Sequence, residues 1–146
     1  MTIHLSINGI ECEAAEQETI DAVASRLGIE IPKLCYHPQL SIAGSCRLCL
    51  VEVAGREHPV TACSECVHEG MAVQTETESL FQMRHDVLDL LLRDAPGIDP
   101  AEGETEFHRW LRHYGVTPSE SSRSALRFPI DEDPHPFIRV DLNRCI

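Results

Sequence analysis

The chain has 146 residues, 42% hydrophobic and 25% charged, which suffices to bury the core of one ordinary domain with an appendage. Twelve Lys and Arg against twenty-four Asp and Glu leave a net charge of −12, which repels phosphate backbones and anionic lipid and argues against nucleic-acid or membrane-surface roles. The most apolar stretch, Val87–Leu92, is interrupted by Asp89, so no transmembrane segment is expected. Met1–Ser6 lacks the basic start and apolar run of a signal peptide, and a cytoplasmic chain is the expectation.

Residues 2–7 alternate as a half-buried strand with Ile3, Leu5 and Ile7 inward. Asn8-Gly9 is a two-residue hairpin signal, and Ile10–Glu13 returns as the partner strand, with Cys12 expected on its polar side as an incidental surface thiol. Thr19 reads as an N-cap, Asp21 lies in the first turn, and Ile20, Val23, Ala24 and Leu27 form an apolar stripe that Gly28 ends. Pro32 leads into a cysteine-bearing loop. Strands are expected at about 49–54 and 58–63, turning at Ala54-Gly55-Arg56, and again over Met71–Thr75. Together these make a small α+β sheet with a helix across one face.

A helical region follows. Thr77 or Ser79 caps a helix reaching about Arg93, with Leu80, Arg84, Val87, Leu88 and Leu91 on one face and Leu90 and Leu92 widening it. Pro96-Gly97 and Pro100 break it. A second helix over about 104–114 turns Phe107, Trp110, Leu111 and Tyr114 inward and stops at Gly115. Residues 117–136 read as an irregular connection, and Phe137–Asp141 is strand-like.

Seven cysteines, Cys12, Cys35, Cys46, Cys49, Cys63, Cys66 and Cys145, are many for a reducing compartment, where clustered thiols serve metals or redox chemistry rather than disulfides. Cys35-x10-Cys46-x2-Cys49-x13-Cys63 is related to the plant-type 2Fe–2S pattern of a tight pair, an upstream ligand and a distant fourth. Gly44–Cys49 reads as a loop whose N–H groups can point at sulfur, with Gly44 supplying conformational freedom and Arg47 either offsetting thiolate charge or simply solvated. The competing pattern is Cys46-x2-Cys49-x13-Cys63-x2-Cys66, a zinc-ribbon spacing that leaves Cys35 spare. Its second knuckle, Cys63-Ser64-Glu65-Cys66, lacks glycine. A cluster-free interaction domain is a third reading.

Three segments, Leu34–Pro38, Gly44–Val53 and Glu69–Thr75, resemble the N-terminal ferredoxin domain of the large iron–sulfur subunit of NADH:quinone oxidoreductase (respiratory complex I). The same module opens NAD-dependent formate dehydrogenase alpha subunits and some iron hydrogenases. The resemblance implies a β-grasp fold over residues 1–76 holding a 2Fe–2S cluster on Cys35, Cys46, Cys49 and Cys63. Cys66 falls where the family has no ligand. In residues 77–116 the family carries a His/Cys site for a 4Fe–4S cluster. Here Ala95, Asp99, Glu102 and Thr105 stand at those positions, carboxylate replaces thiolate poorly on such a cluster, and the site is read as degenerate. For His108 and His113, surface or capping roles are expected. Residues 117–146 read as a connector and the start of a further ferredoxin-like module; Cys145 alone cannot hold a cluster, and the end inside a motif points to the front piece of a longer polypeptide. No nucleotide fingerprint or nucleophile–base pair is visible, so the expectation is an electron-transfer component rather than an independent catalyst. Its partners would be flavin/NADH-binding or molybdopterin-containing subunits, and its place cytoplasmic, peripheral to the inner membrane through a complex.

Overall fold

A computed structural model describes residues 2–95 and 97–118 and, beyond them, 126, 128–129, 137–138 and 142–144. The chain forms two compact units, Met1–Arg84 and His85–Ile146.

The first unit is built on a five-stranded mixed sheet, in the order β2-β1-β5-β3-β4. β1 (Thr2–Ile7) and β2 (Ile10–Ala15) pair antiparallel from Ile7↔Ile10 to Thr2↔Ala15. Asn8 and Gly9 both take positive φ, 51° and 79°, as the predicted two-residue turn requires. Asn8 does more than turn. Its amide bonds Thr75 in both directions, Nδ2 donating to Thr75 Oγ1 and Oδ1 accepting from Thr75 N–H, each at 2.8 Å. That locks the hairpin to the end of β5 (Ala72–Gln74), which runs parallel to β1. β3 (Leu50–Val53) pairs antiparallel with β5 and with β4 (Val60–Thr61). The last strand is far shorter than the expected 58–63, because the chain after Thr61 curls at once into a turn in which Ser64 and Glu65 N–H donate to the Thr61 carbonyl.

Helix α1 (Ile20–Arg26) lies between the first hairpin and the cysteine segment. Thr19 caps it, its hydroxyl accepting from Ala22 N–H, worth about 1 kcal/mol. Gly28, at φ 75°, ends it. Ile20, Val23 and Ala24 are fully buried in one core with Leu5, Ile7, Val51, Val53 and Val73, each large side chain contributing about 1.5–3 kcal/mol of burial. Cys12 corrects the expectation of a surface thiol. It shares a strand face with Ala14, packs against this core, and donates to the Leu5 carbonyl. Residues two apart lie on one face of a strand, so Cys12 follows Ala14 and not Glu11 or Glu13.

α2 (Glu78–Arg93) is capped by Thr77, whose hydroxyl accepts from Leu80 N–H at 3.1 Å. Arg84 sits on the apolar face beside Leu80, as its spacing predicts, and is buried because its guanidinium donates to the Leu50 and Thr75 carbonyls.

In the second unit Leu88 and Leu92 are buried, but Leu90 is 63% exposed and does not widen the buried face. α3 (Glu106–His113) buries Trp110 and Leu111, with Tyr114 just beyond. His108 is buried rather than on the surface. Its ring hydrogen-bonds the hydroxyl of Thr105, the N-cap residue, at 2.7 Å and lies flat against Gly103. His113 is exposed. Of the strand expected at Phe137–Asp141, the described residues Phe137 and Ile138 are not in a strand, and the rest, like Cys145, lies outside the described residues.

Two tests follow from this packing. Glu18 accepts from Ala15 N–H at 2.7 Å and pairs with Arg26; the backbone donor holds its carboxyl below the ordinary 4.5, against the opposing effect of burial. A depressed folded pKa stabilises above the unfolded value and is lost as pH falls through the folded one. The stability gap between wild type and Glu18→Gln is therefore constant near neutrality and closes below the ordinary carboxylate pKa, as read by urea denaturation across pH. At Gly103 (φ 143°) an added Cβ would come within 2.6 Å of the His108 ring. Gly103→Ala destabilises by about 1–3 kcal/mol, part of which His108→Ala restores.

Candidate metal centre

The cysteine segment leaves α1 through Ile31 and Pro32, both buried, and runs as loop from Lys33 to Cys49. The loop curls because Gly44 and Arg47 take left-handed conformations, φ 60° and 56°. β3 then anchors its end, and the turn after β4 supplies Cys63. One backbone bond, Ala62 N–H to the Cys49 carbonyl at 2.9 Å, fixes these two arms against each other.

Four sulfurs meet at this end of the sheet. Cys49 and Cys63 stand Sγ to Sγ at 3.3 Å, both almost wholly buried. On the other side Cys46 N–H donates to Cys35 Sγ at 3.4 Å. Cys46 is buried, while Cys35 is half-buried and is followed by the exposed stretch from His37 to Ala43. Burial pushes the Cys35 thiol up, but hydrogen bonds from Cys46 and Ser45 outweigh it and bring it down to about 7. Burial pushes Cys46 up, with backbone donors at Leu48, Cys35 and Leu34 opposing. Cys63 is driven up to about 12, first by burial, then by its contact with Cys49 and by the charges of Cys49, Cys35 and Cys46. The expected N–H groups aimed at sulfur are present.

Crowded thiolates repel one another, and a cationic metal relieves that repulsion. Among the described residues no three Cys, His, Asp or Glu side chains converge on a single-ion position. A tetrahedral zinc needs four donors around one point, whereas a bridged iron pair needs two thiolates at each iron. Sulfurs arranged as two pairs fit the second demand.

Cys66, which the zinc-ribbon reading requires, is exposed, and its thiol donates to the Gln17 carbonyl. It forms a bridge with Thr19 on the α1 side. The sequence reading missed Asp21, taken only as a first-turn acid. It is buried, and its carboxylate meets Lys33 Nζ at 2.6 Å.

A five-stranded β-grasp sheet with one helix and a sulfur-rich loop defines a ferredoxin-type domain. Residues 1–78 match the 2Fe–2S iron–sulfur cluster binding domain, and the chain belongs to that family. Its cofactor is a 2Fe–2S cluster, which removes the zinc-module and cluster-free readings. The chain is 36% identical over 148 residues to the NADPH-Fe(3+) oxidoreductase subunit alpha of Geobacter sulfurreducens, covering 99% of this chain and 17% of that protein. It is 34% identical over 150 residues to the NADH-ubiquinone oxidoreductase 75 kDa subunit of Reclinomonas americana, covering 99% of this chain and 21% of that one. A crystal structure of NAD+-reducing [NiFe]-hydrogenase in the H2-reduced state contains a chain that superposes with a TM-score of 0.84 at 28% identity, over 99% of this chain and 62% of its own length. The chain thus spans about a fifth of the length of these curated relatives.

Gly44 has open space around it, so Gly44→Ala acts through its backbone alone. It lowers stability by about 1 kcal/mol, the cost of a left-handed conformation outside glycine, measured by denaturant titration.

Proposed function

We propose that Cys35, Cys46, Cys49 and Cys63 hold the 2Fe–2S cluster, Cys35 with Cys46 at one iron and Cys49 with Cys63 at the other, and that the chain passes single electrons within a larger oxidoreductase. The observation that carries this reading is the 3.3 Å approach of the Cys49 and Cys63 sulfurs beside the Cys46–Cys35 hydrogen bond. When bound, the cluster supplies a one-electron couple whose potential is set by hydrogen bonds to sulfur and by exposure. The residues of the chain exclude water from Cys46, Cys49 and Cys63 and direct backbone N–H groups at Cys35 and Cys46. The half-buried Cys35 lies on the solvent side, the side from which a partner's redox centre approaches.

The relatives support an assembly linked to NADH, NADPH or hydrogen, and the family resemblance adds formate. Partners in that assembly are other redox subunits, with flavin or molybdopterin held outside this chain. In this reading residues 1–76 are the ferredoxin-type domain and 77–116 a helical region whose second cluster site is degenerate. In the helical region two of the four degenerate positions spend their oxygens on the protein itself, Asp99 Oδ1 on Ala101 N–H and Thr105 Oγ1 on His108. Among the described residues no helix is long and apolar enough to cross a membrane. The chain works in the cytoplasm, peripheral to the inner membrane through its complex.

Anaerobic reconstitution of the chain with iron and sulfide tests the assignment. Two irons and two sulfides per chain are expected, with visible absorption that bleaches and an EPR signal that appears on one-electron reduction. Serine at Cys35, Cys46, Cys49 or Cys63 abolishes or shifts that spectrum, while Cys12→Ser and Cys66→Ser leave it unchanged. A spectrum that survives Cys35→Ser and is lost in Cys66→Ser overturns the ligand set.

A further inference from the structure

Cys35 and Cys63, one from each sulfur pair, lie on arms far apart in sequence, and Asp21 touches the roots of both arms. Its backbone N–H donates to the carbonyl of Ala62, the residue before Cys63, at 3.0 Å. Its carboxylate, 3% exposed, takes Lys33 Nζ at 2.6 Å, two residues before Cys35. Lys33 Nζ also stands 5.4 Å from the centre of the Tyr36 ring, the residue after Cys35, within cation–π range. Tyr36 in turn packs against the core. The first turn of α1 is stitched to the Cys63 turn as well, through Ile20 N–H to the Glu65 carbonyl and Val67 N–H to the Glu18 carbonyl. The Cys63 arm is therefore fixed to the helix by backbone bonds. The Cys35 arm is tied to the same point of the helix by a side-chain ion pair.

We infer that the Asp21–Lys33 pair is a positioning device for the cluster, setting the distance between the Cys35 arm and the Cys63 arm. The inference rests on the ligand set proposed above. A cluster with two thiolates at each iron has one ligand on each of these arms. Neither Asp21 nor Lys33 touches a sulfur. They act by holding Lys33–Tyr36, and with it Cys35, against the helix that carries the Cys63 turn. Partners that orient metal ligands in this way typically change metal retention by about 10–100-fold when removed.

Asp21→Asn is the informative variant, since it keeps the backbone bond to Ala62 and removes only the charge that draws Lys33 in. Iron release from the reconstituted chain to a ferrous chelator, well below the unfolding temperature of the apo-protein, is expected to rise about 10-fold in Asp21→Asn and Lys33→Met. The g-values of the reduced cluster shift in both variants, and Lys33→Arg keeps the wild-type rate and signal. Folded variants releasing iron at the wild-type rate with unchanged g-values overturn the inference. So does a fall in apo-protein melting temperature with no change in release, because that is a purely structural role. If a single variant does not fold, the neutral pair Asp21→Asn/Lys33→Met leaves no buried unpaired charge and carries the same comparison. Failure of the ligand set is read separately, as an intact spectrum in Cys35→Ser or Cys63→Ser.

Discussion

The structure of the first unit depends on the cost of placing several ionisable sulfurs together out of water. A thiol is a small, weakly polar group and tolerates burial while it is neutral. Three or four of them in contact cannot ionise together without a cation, and Cys63, almost wholly buried, is held well above the ordinary thiol range. Every element around the site answers that constraint. β3 and the turn after β4 bring Cys49 and Cys63 together from the interior side. The loop with two left-handed residues brings Cys46 and Cys35 from the solvent side and offers N–H donors to sulfur. The sheet supplies rigidity, and the loop supplies electrostatics.

Much of this was legible in the sequence because it is local. Asn8-Gly9 names its own turn, Thr19 and Gly28 bracket a helix, and the Cys-x2-Cys pair after a glycine announces a ligand loop. The failures are instructive for the opposite reason. β4 ends early because the Thr61–Glu65 turn competes with strand pairing, and the turn carries a ligand candidate while the strand does not. Cys12 sits between Glu11 and Glu13 yet shares the inward face of Ala14, two positions on, and that parity decides its packing. His108 is buried by a contact with Gly103 that no periodicity encodes.

The longest-range features were invisible for a simple reason. Asn8 and Thr75 are 67 residues apart, and Asp21 and Lys33 are 12 apart across a helix end and a loop. Each residue has an adequate local explanation, as a turn former, a cap partner or an exposed lysine. Only the fold reveals that the same side chain also closes a distant junction. Candidate ligands can thus be found from spacing, while the residues that position them emerge from three-dimensional contacts.

Net charge illustrates the same difference between sum and arrangement. A chain at −12 is a poor setting for a thiolate-ligated centre if its charge is spread evenly. It is not spread evenly. Between Ile31 and Arg56, the stretch that holds Cys35, Cys46 and Cys49, the cations are Lys33, Arg47 and Arg56 and the only carboxylate is Glu52. Glu52 accepts the Thr77 hydroxyl, which also caps α2. Charges interact strongly only within about one Debye length, roughly 10 Å at moderate salt. What acts on the sulfurs themselves is burial, the N–H groups of the loop and the neighbouring cysteines. The acidic remainder of the chain is left to govern solubility and long-range approach. Two cations of the stretch are themselves spent on ion pairs, Lys33 on the buried Asp21 beside the root of the Cys63 arm and Arg56 on Glu65.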